Sequence, residues 1–268
     1  MRIAFIGGGT MAEAILSGVL EKTLAAPADI GVVEPVETRR KHLTEQYGVV
    51  TTDNAKTATA SSDIIVLAVK PQDLPNAMAG LKGTLTANQA VLSIVAGVKI
   101  GAITAGLGHA AVIRVMPNTP AQIGAAASVW TATPEVTAER LDDARNLLQA
   151  IGEESQVAGE KYVDMATGLS GSGPAYVFMF IESLTDAGVH VGLPRDMAAK
   201  LAVQTVLGSA QLVQQSGRHP AELRNMVTSP GGTTAEGTLV LEGSGFRASV
   251  IEAVEAAYEK ALLLGEEE

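Results

Sequence analysis

The 268-residue sequence contains no cysteine. That excludes disulfides, thiol nucleophiles, redox-active dithiols and thiolate metal sites together. Positive charge is scarce too: 19 Lys and Arg stand against 29 Asp and Glu, a formal net charge of -10. With no surplus of cations to meet phosphates, binding to nucleic acid or to an anionic membrane surface is not expected. Long apolar runs are also missing. The run after Arg2 is stopped by Gly7-Gly8-Gly9 after four residues, and the longest later one, Ala175 to Ile181, has seven. A spanning helix needs roughly 20, and the short first run does not read as a signal peptide. The expectation is a soluble, cytoplasmic protein.

Aromatic residues make up only 3% while hydrophobic residues make up 47%, so the core must be built from Ala, Val, Leu and Ile. Helices rich in Ala and Gly approach one another closely, which suits an extensive helix–helix interface. A general bias toward small residues would give the same composition. Histidines are few, and His42, His109, His190 and His219 show no metal-ligand spacing. No metal site is expected. Lys161 and Lys200 have no obvious general-acid setting, and no carboxylate pair stands near a helical His. A reaction without a strong acid or base fits best, such as hydride transfer to an already electrophilic C=N bond.

The first half alternates strands with helices. Strands are predicted at Ile3–Ile6, Ile30–Val33, Val49–Thr51, Ile64–Val69, Ala90–Val95, Val112–Met116 and Ala126–Thr131, with helices over Met11–Leu20 and Thr38–Tyr47. Several strands are apolar throughout, as parallel strands covered on both faces are. This alternation predicts a mostly parallel, doubly wound α/β sheet. The character changes between about 152 and 163, and the boundary is placed at 157/158. After Lys161 only helices are expected, with Pro174 and Pro194 as first helical residues. The Met197–Val213 helix is apolar around much of its circumference, which predicts burial in a domain core or between subunits. Glu266-Glu267-Glu268 reads as a frayed acidic end.

Gly7-Gly8-Gly9-Thr10-Met11-Ala12 is a G-x-G-x-x-A directly after a strand and opening a helix. Gly7 makes the tight turn, Gly9 lets a pyrophosphate reach the backbone, and Ala12 lets helix pack on strand. The helix N-terminus supplies free amides and a positive dipole to the anion. The end of the second strand leaves NAD and NADP both open. Glu34 is suited to ribose hydroxyls, whereas Arg39, Arg40 and Lys41 are suited to a 2′-phosphate or are simply a solvated helix face. Ala68-Val69-Lys70-Pro71 ends the strongest strand and should lie on the cofactor side of the sheet, Lys70 contacting cofactor or only solvent. Met116-Pro117-Asn118-Thr119-Pro120 reads as a rigid loop that positions a substrate or joins two elements.

In the second half Gly168 to Pro174 opens an apolar helix, and Val227-Thr228-Ser229-Pro230-Gly231-Gly232-Thr233-Thr234 lies between two helices. The latter brings hydroxyls and unencumbered amides to a helix N-terminus, which suits a small carboxylate. A helix cap with a Pro-Gly turn accounts for either segment separately.

Together these segments, with Arg114 to Pro120 and Leu223-Arg224, resemble pyrroline-5-carboxylate reductase over nearly the whole chain. Thr10 stands where the family usually has asparagine, and Glu34 where many members have a small polar residue. The resemblance implies a Rossmann domain, 1–157, and an all-α dimerisation and substrate-binding domain, 158–268. It implies a homodimer with interleaved helical domains, assembled in many members into a decamer, and an active site shared between subunits. It implies reduction of L-1-pyrroline-5-carboxylate to L-proline by NADPH, with NADH as an alternative. The substrate carboxylate is then held at Ser229, Gly231, Gly232 and Thr233. Thr234 is the catalytic residue, orienting the ring nitrogen or relaying a proton to it, and Glu160 approaches the substrate. The cofactor is assigned to Gly7, Gly8, Gly9, Thr10, Met11, Glu34, Arg39, Asn54, Ala68, Val69, Lys70 and Pro71. A β-hydroxyacid dehydrogenase, similar in architecture, would want a lysine on the helix after Pro174, and none is there. A nucleotide-binding sensor without turnover would not need the Thr228–Thr234 loop.

Overall fold

The alternation of strands and helices closes into one sheet. The computed structural model describes residues 1–266. Its strands are Ile3–Ile6 (β1), Ile30–Val33 (β2), Val50–Thr52 (β3), Ile64–Leu67 (β4), Ala90–Ser93 (β5), Val112–Met116 (β6), Ala126–Ala132 (β7) and Gly152–Gln156 (β8). They pair in the order β3-β2-β1-β4-β5-β6-β7-β8. All neighbours are parallel except β6 and β7, so the sheet is mixed at one end. Side chains alternate along each strand, and both sets are covered. Ile3, Phe5, Ile64 and Val66 enter one core; Ala4, Ile6, Ile65 and Leu67 enter the other.

Thr10–Glu21 (α1), Glu37–Tyr47 (α2), Ala55–Thr59 (α3), Leu74–Leu81 (α4), Ile100–Leu107 (α5) and Ala138–Gln149 (α6) connect the strands. Ile15 and Leu16 of α1 and Leu147 and Leu148 of α6 fill the first core around Trp130, while α4 and α5 fill the second with Leu74, Leu81, Ile103 and Leu107. The strand order runs outward in opposite directions from β1 and β4. That switch point opens a crevice beyond the carboxyl ends of these two strands.

Several predicted ends shift by one or two residues. β4 stops at Leu67 and β5 at Ser93, because the apolar stretch continues into the turns that follow. Strand β8 was not expected at all: GEESQ carries no apolar pattern, and only its pairing with β7 makes it a strand. Gly152 at its start has φ +149, and a Cβ there would collide with the backbone of Ala126.

The chain divides into two compact units, Met1–Ser172 with Ala256–Glu268, and Gly173–Glu255. The first therefore includes Glu160–Ala166 (α7) and a π-helical turn, Thr167–Gly171, beyond the 157/158 boundary read from sequence. The second holds Gly173–His190 (α8), Arg195–Ser216 (α9), Pro220–Met226 (α10) and Thr233–Gly243 (α11), and Phe246–Glu266 (α12) begins in it. Pro174 follows the first residue of α8 and Pro194 caps α9, each one place from the expected position. At Gly188 a Cβ would lie 2.9 Å from that of Ala198, so glycine lets α8 and α9 approach closely.

The burial expected along Met197–Val213 is not met within the chain. Among the described residues of α9 only Ala198 and Ala202 are buried, while Leu201, Val203 and Leu207 are about half exposed. No helix among the described residues is long and apolar enough to cross a membrane. Of the expected acidic end, Glu266 is the last helical residue, and Glu267 and Glu268 lie outside the described residues.

Candidate active site

The glycine turn is built by steric necessity. Gly7 donates its amide to Val33 at 2.8 Å and has φ +100, and a Cβ there would lie 2.7 Å from the Ala68 carbonyl oxygen. Gly9 caps α1 with no side-chain hydrogen bond, and the space where its Cβ would stand is open. Ala12 is buried against the sheet. Among the described residues, the amides of Gly9, Thr10 and Met11 meet no backbone acceptor. They open α1 at its positive end, an arrangement suited to an anion.

A cleft of about 1090 Å³ lies over this turn. Of the residues assigned to the cofactor from sequence, it brings together Gly7, Gly8, Gly9, Glu34, Asn54, Ala68, Val69 and Lys70. Thr10 and Met11 begin α1, Pro71 opens the 3-10 turn after Lys70, and Arg39 lies on α2; these four do not line the cleft. Asp53, Lys56 and Asn76 line it without having been singled out, since nothing in their local sequence marks them.

The charges at the end of β2 are bonded to the protein's own backbone and side chains. Glu34, nearly buried, accepts hydrogen bonds from the amides of Gly8 and Val36, both at 3.0 Å. Arg39 donates to the Gly8 carbonyl at 2.6 Å and to Glu13 at 2.5 Å. Arg40 donates to the carbonyls of Glu34 and Pro35, and Lys41 pairs with Glu37. Glu13 also binds His42 and Tyr47, each at 3.0 Å. Burial alone would raise its carboxyl, but hydrogen bonds from Arg39, His42 and Tyr47 outweigh that and hold it below the ordinary 4.5. Burial, and then the bond to Glu13, push the Tyr47 phenol up.

A second charged cluster joins β6 and the segment after β5 to α7, and of its members only Glu160 is assigned a role from sequence, on the substrate. Buried Arg114 of β6 meets Asp164 of α7 at 2.7 Å and Glu160 at 3.0 Å. Lys99 also pairs with Asp164, and Glu160 accepts the first amide of α5, that of Ile100, at 2.8 Å. One signal was present: Arg114 is the lone charge in the otherwise apolar strand VIRVM. Asn118 in the adjoining loop donates to Ser170 in the π-helical turn and accepts from Ala127, both at 3.0 Å, so this loop joins β7 to that turn.

The residues assigned to substrate fall in different units. Ser229, Gly231, Gly232, Thr233 and Thr234 lie in the second unit, Glu160 in the first. Gly231 has φ +68, Gly232 donates to the Ser229 carbonyl at 3.0 Å and caps α11, and Thr233 and Thr234 are its first residues. Ser229 and Thr233 are exposed. Among the described residues no group of His, Asp or Glu is placed to hold a metal ion.

Two family models match the chain: pyrroline-5-carboxylate reductase dimerisation over 160–264, and NADP oxidoreductase, coenzyme F420-dependent, over 2–97. A pyrroline-5-carboxylate reductase of Synechocystis is 46% identical, covering 99% of this chain and 98% of its own. That of Escherichia coli is 42% identical, covering 97% and 96%. The chain belongs to the pyrroline-5-carboxylate reductase family. Solved members of that family share the fold closely. The Coxiella burnetii structure has a TM-score of 0.92 at 35% identity, with 98% of each chain covered. A Plasmodium falciparum pyrroline carboxylate reductase with NADP bound has a TM-score of 0.89 at 31% identity, covering 99% of this chain and 98% of that one. The Rossmann domain and helical dimerisation domain expected of the family are both present.

Proposed function

We propose that this chain reduces the C=N bond of L-1-pyrroline-5-carboxylate to give L-proline, the last step of proline biosynthesis, with NADPH as reductant and NADH also accepted. The observation that carries this is near-complete coverage of reductases in the family at 42–46% identity by a chain that keeps its glycine turn open. The site fits a dinucleotide: Gly9 leaves room for close approach, the first amides of α1 meet no backbone acceptor, and the cleft extends from the glycine turn to Lys70.

In this reading the amides of Gly9, Thr10 and Met11 hold the pyrophosphate, Glu34 faces the ribose, and Arg39 acts on the cofactor through Gly8. Asn54, Ala68, Val69 and Lys70 bound the rest of the cleft, and Pro71 fixes the turn behind them. When bound, the reduced nicotinamide supplies a hydride to C5 of the imine, whose nitrogen takes up a proton. The amides around Ser229, Gly231, Gly232 and Thr233 hold the substrate carboxylate, and the Thr234 hydroxyl orients the ring nitrogen. An unactivated threonine is a poor acid, so orientation is its role; the whole site's positioning of both reactants, of which Thr234 is one part, is worth about 7–11 kcal/mol of barrier. Glu160 acts on the substrate side through Arg114 and α5.

Residues 1–157 form the dinucleotide-binding domain and 158–268 the dimerisation and substrate-binding domain, a division that the match at 160–264 supports. The protein is a homo-oligomer. Its finer form is a homodimer with interleaved helical domains, assembled into a decamer, in which the Ser229–Thr234 loop completes a partner's site. It works in the cytoplasm. Following NADPH and NADH absorbance with racemic pyrroline-5-carboxylate tests the reading: oxidation with proline as product is expected. No oxidation of either by folded protein that binds the nucleotide overturns it.

A further inference from the structure

The position of Glu34 bears on a question that family membership leaves open, namely how strongly the site distinguishes the two nucleotides. Glu34 lines the cleft, and its two carboxylate oxygens each accept a backbone amide at 3.0 Å, Oε2 from Gly8 and Oε1 from Val36. The carboxylate cannot turn away from the cleft without releasing the peptide that shapes the glycine turn. The next peptide of the turn, Gly8–Gly9, is held by Arg39, which donates to the Gly8 carbonyl at 2.6 Å. An ionised carboxylate has about four acceptor positions, so two are spent on the loop and two remain for hydroxyl donors.

The cations that follow Glu34 in sequence are engaged with the protein itself. Arg39 is paired with Glu13, Arg40 with two carbonyls and Lys41 with Glu37, and none of the three lines the cleft. The cations that do line it are Lys56 on α3 and Lys70 after β4, beside the carboxylates of Asp53 and Asp73.

We propose that Glu34 is a specificity-determining residue of this chain: locked by the amides of Gly8 and Val36, it takes the ribose 2′-hydroxyl of NADH and opposes the 2′-phosphate of NADPH. It thereby narrows the preference for NADPH without abolishing NADPH use. This rests on the reading of the cleft as the nucleotide site.

The test compares wild type with Glu34→Gln and Glu34→Ser, measuring by calorimetry the dissociation constants of adenosine 2′,5′-bisphosphate and 5′-AMP, which need no turnover. Loosening of the glycine turn weakens both ligands, so the ratio isolates the 2′-phosphate. Wild type is expected to favour the bisphosphate by no more than about tenfold, and both variants should raise that ratio about tenfold. The NADPH-to-NADH ratio of kcat/KM should move with it. A wild-type preference above about a hundredfold overturns the proposal without any variant. So does a ratio unchanged in both variants. If neither nucleotide reduces pyrroline-5-carboxylate, the functional reading fails separately, and the binding ratio still decides the role of Glu34.

Discussion

Arg114 and Asp164 meet at 2.7 Å with their side chains only 4% and 2% exposed, one on a central strand and the other on the helix that leads out of the sheet domain. Lys99 and Glu160, each about 30% exposed, complete the group, so two positive and two negative charges meet. Because Glu160 also accepts the Ile100 amide, α7 is fixed at once to β6 and to the start of α5. The cluster holds in place the π-helical turn from which α8 departs.

Breaking that pair from one side leaves a buried charge without its partner. Arg114→Met is therefore expected to destabilise the protein by about 3–5 kcal/mol, read by chemical denaturation. Arg114→Met combined with Asp164→Leu should recover most of the loss, since an apolar pair of similar volume replaces a desolvated ionic one. No recovery in the double variant would mean that the cluster contributes more than its charge balance.

Glu13 gives a pH-dependent prediction. Despite burial, its bonds to Arg39, His42 and Tyr47 hold its carboxyl below the ordinary 4.5. A carboxyl with a lowered folded-state pKa contributes stability that is present above the unfolded value and lost as pH falls through the folded one. Glu13→Gln should then cost about 1–2 kcal/mol at neutral pH. The difference between wild type and variant should shrink below about pH 4. A difference that stays constant between neutral and acid pH would contradict the assignment.

Much of the fold was legible because its signals are local. Unbroken apolar runs such as Ile64–Leu67 and the glycines after Ile6 mark buried parallel strands and the turn between β1 and α1 without any knowledge of partners. Strand β8 was not legible, since Gly152–Gln156 is polar and becomes a strand only by lying beside β7. The cleft was legible on its glycine side and at Glu34, and illegible at Asp53, Lys56 and Asn76, which reach it only through the folding of β3, α3 and α4. Arg39 shows the limit in the other direction. Its place in the sequence suggests a phosphate ligand, and only coordinates reveal that Gly8 and Glu13 already occupy it.

Gly7 is expected to tolerate no side chain. Its φ of +100 disfavours any L residue, and the Cβ of an alanine would lie 2.7 Å from the Ala68 carbonyl. Gly7→Ala should cost about 1–3 kcal/mol of stability and weaken nucleotide binding as the turn moves away from Ala68. Thermal unfolding and calorimetric titration with NADPH check the two effects on one sample. Wild-type behaviour in both would mean that the turn is softer than its geometry implies.

Thr234 separates substrate from cofactor. On the proposed role, replacing its hydroxyl with a methyl, as Thr234→Val, takes away the hydrogen bond assigned to the ring nitrogen and should lower kcat/KM for the imine by up to about tenfold. The cleft belongs to the other compact unit, so the NADPH dissociation constant should stay near wild type. Unchanged turnover would remove Thr234 from the site.

The exposed apolar side chains around α9 give the last prediction. Leu201, Val203 and Leu207 are about half exposed in the single chain, and Leu239 and Val240 of α11 more so. Burying a leucine fully contributes about 1.5–3 kcal/mol, so exposed apolar side chains on several sides of α9 favour association with a second copy over contact with water. In a two-fold interface each substitution acts in both subunits. Leu201→Glu should therefore lower the oligomeric state in sedimentation, and on the proposed shared site activity should fall with it. Calorimetric binding of NADPH to the monomer should persist. A variant that stays dimeric and active would show that α9 does not form the interface, and a fully active monomer would show that the site is complete within one chain.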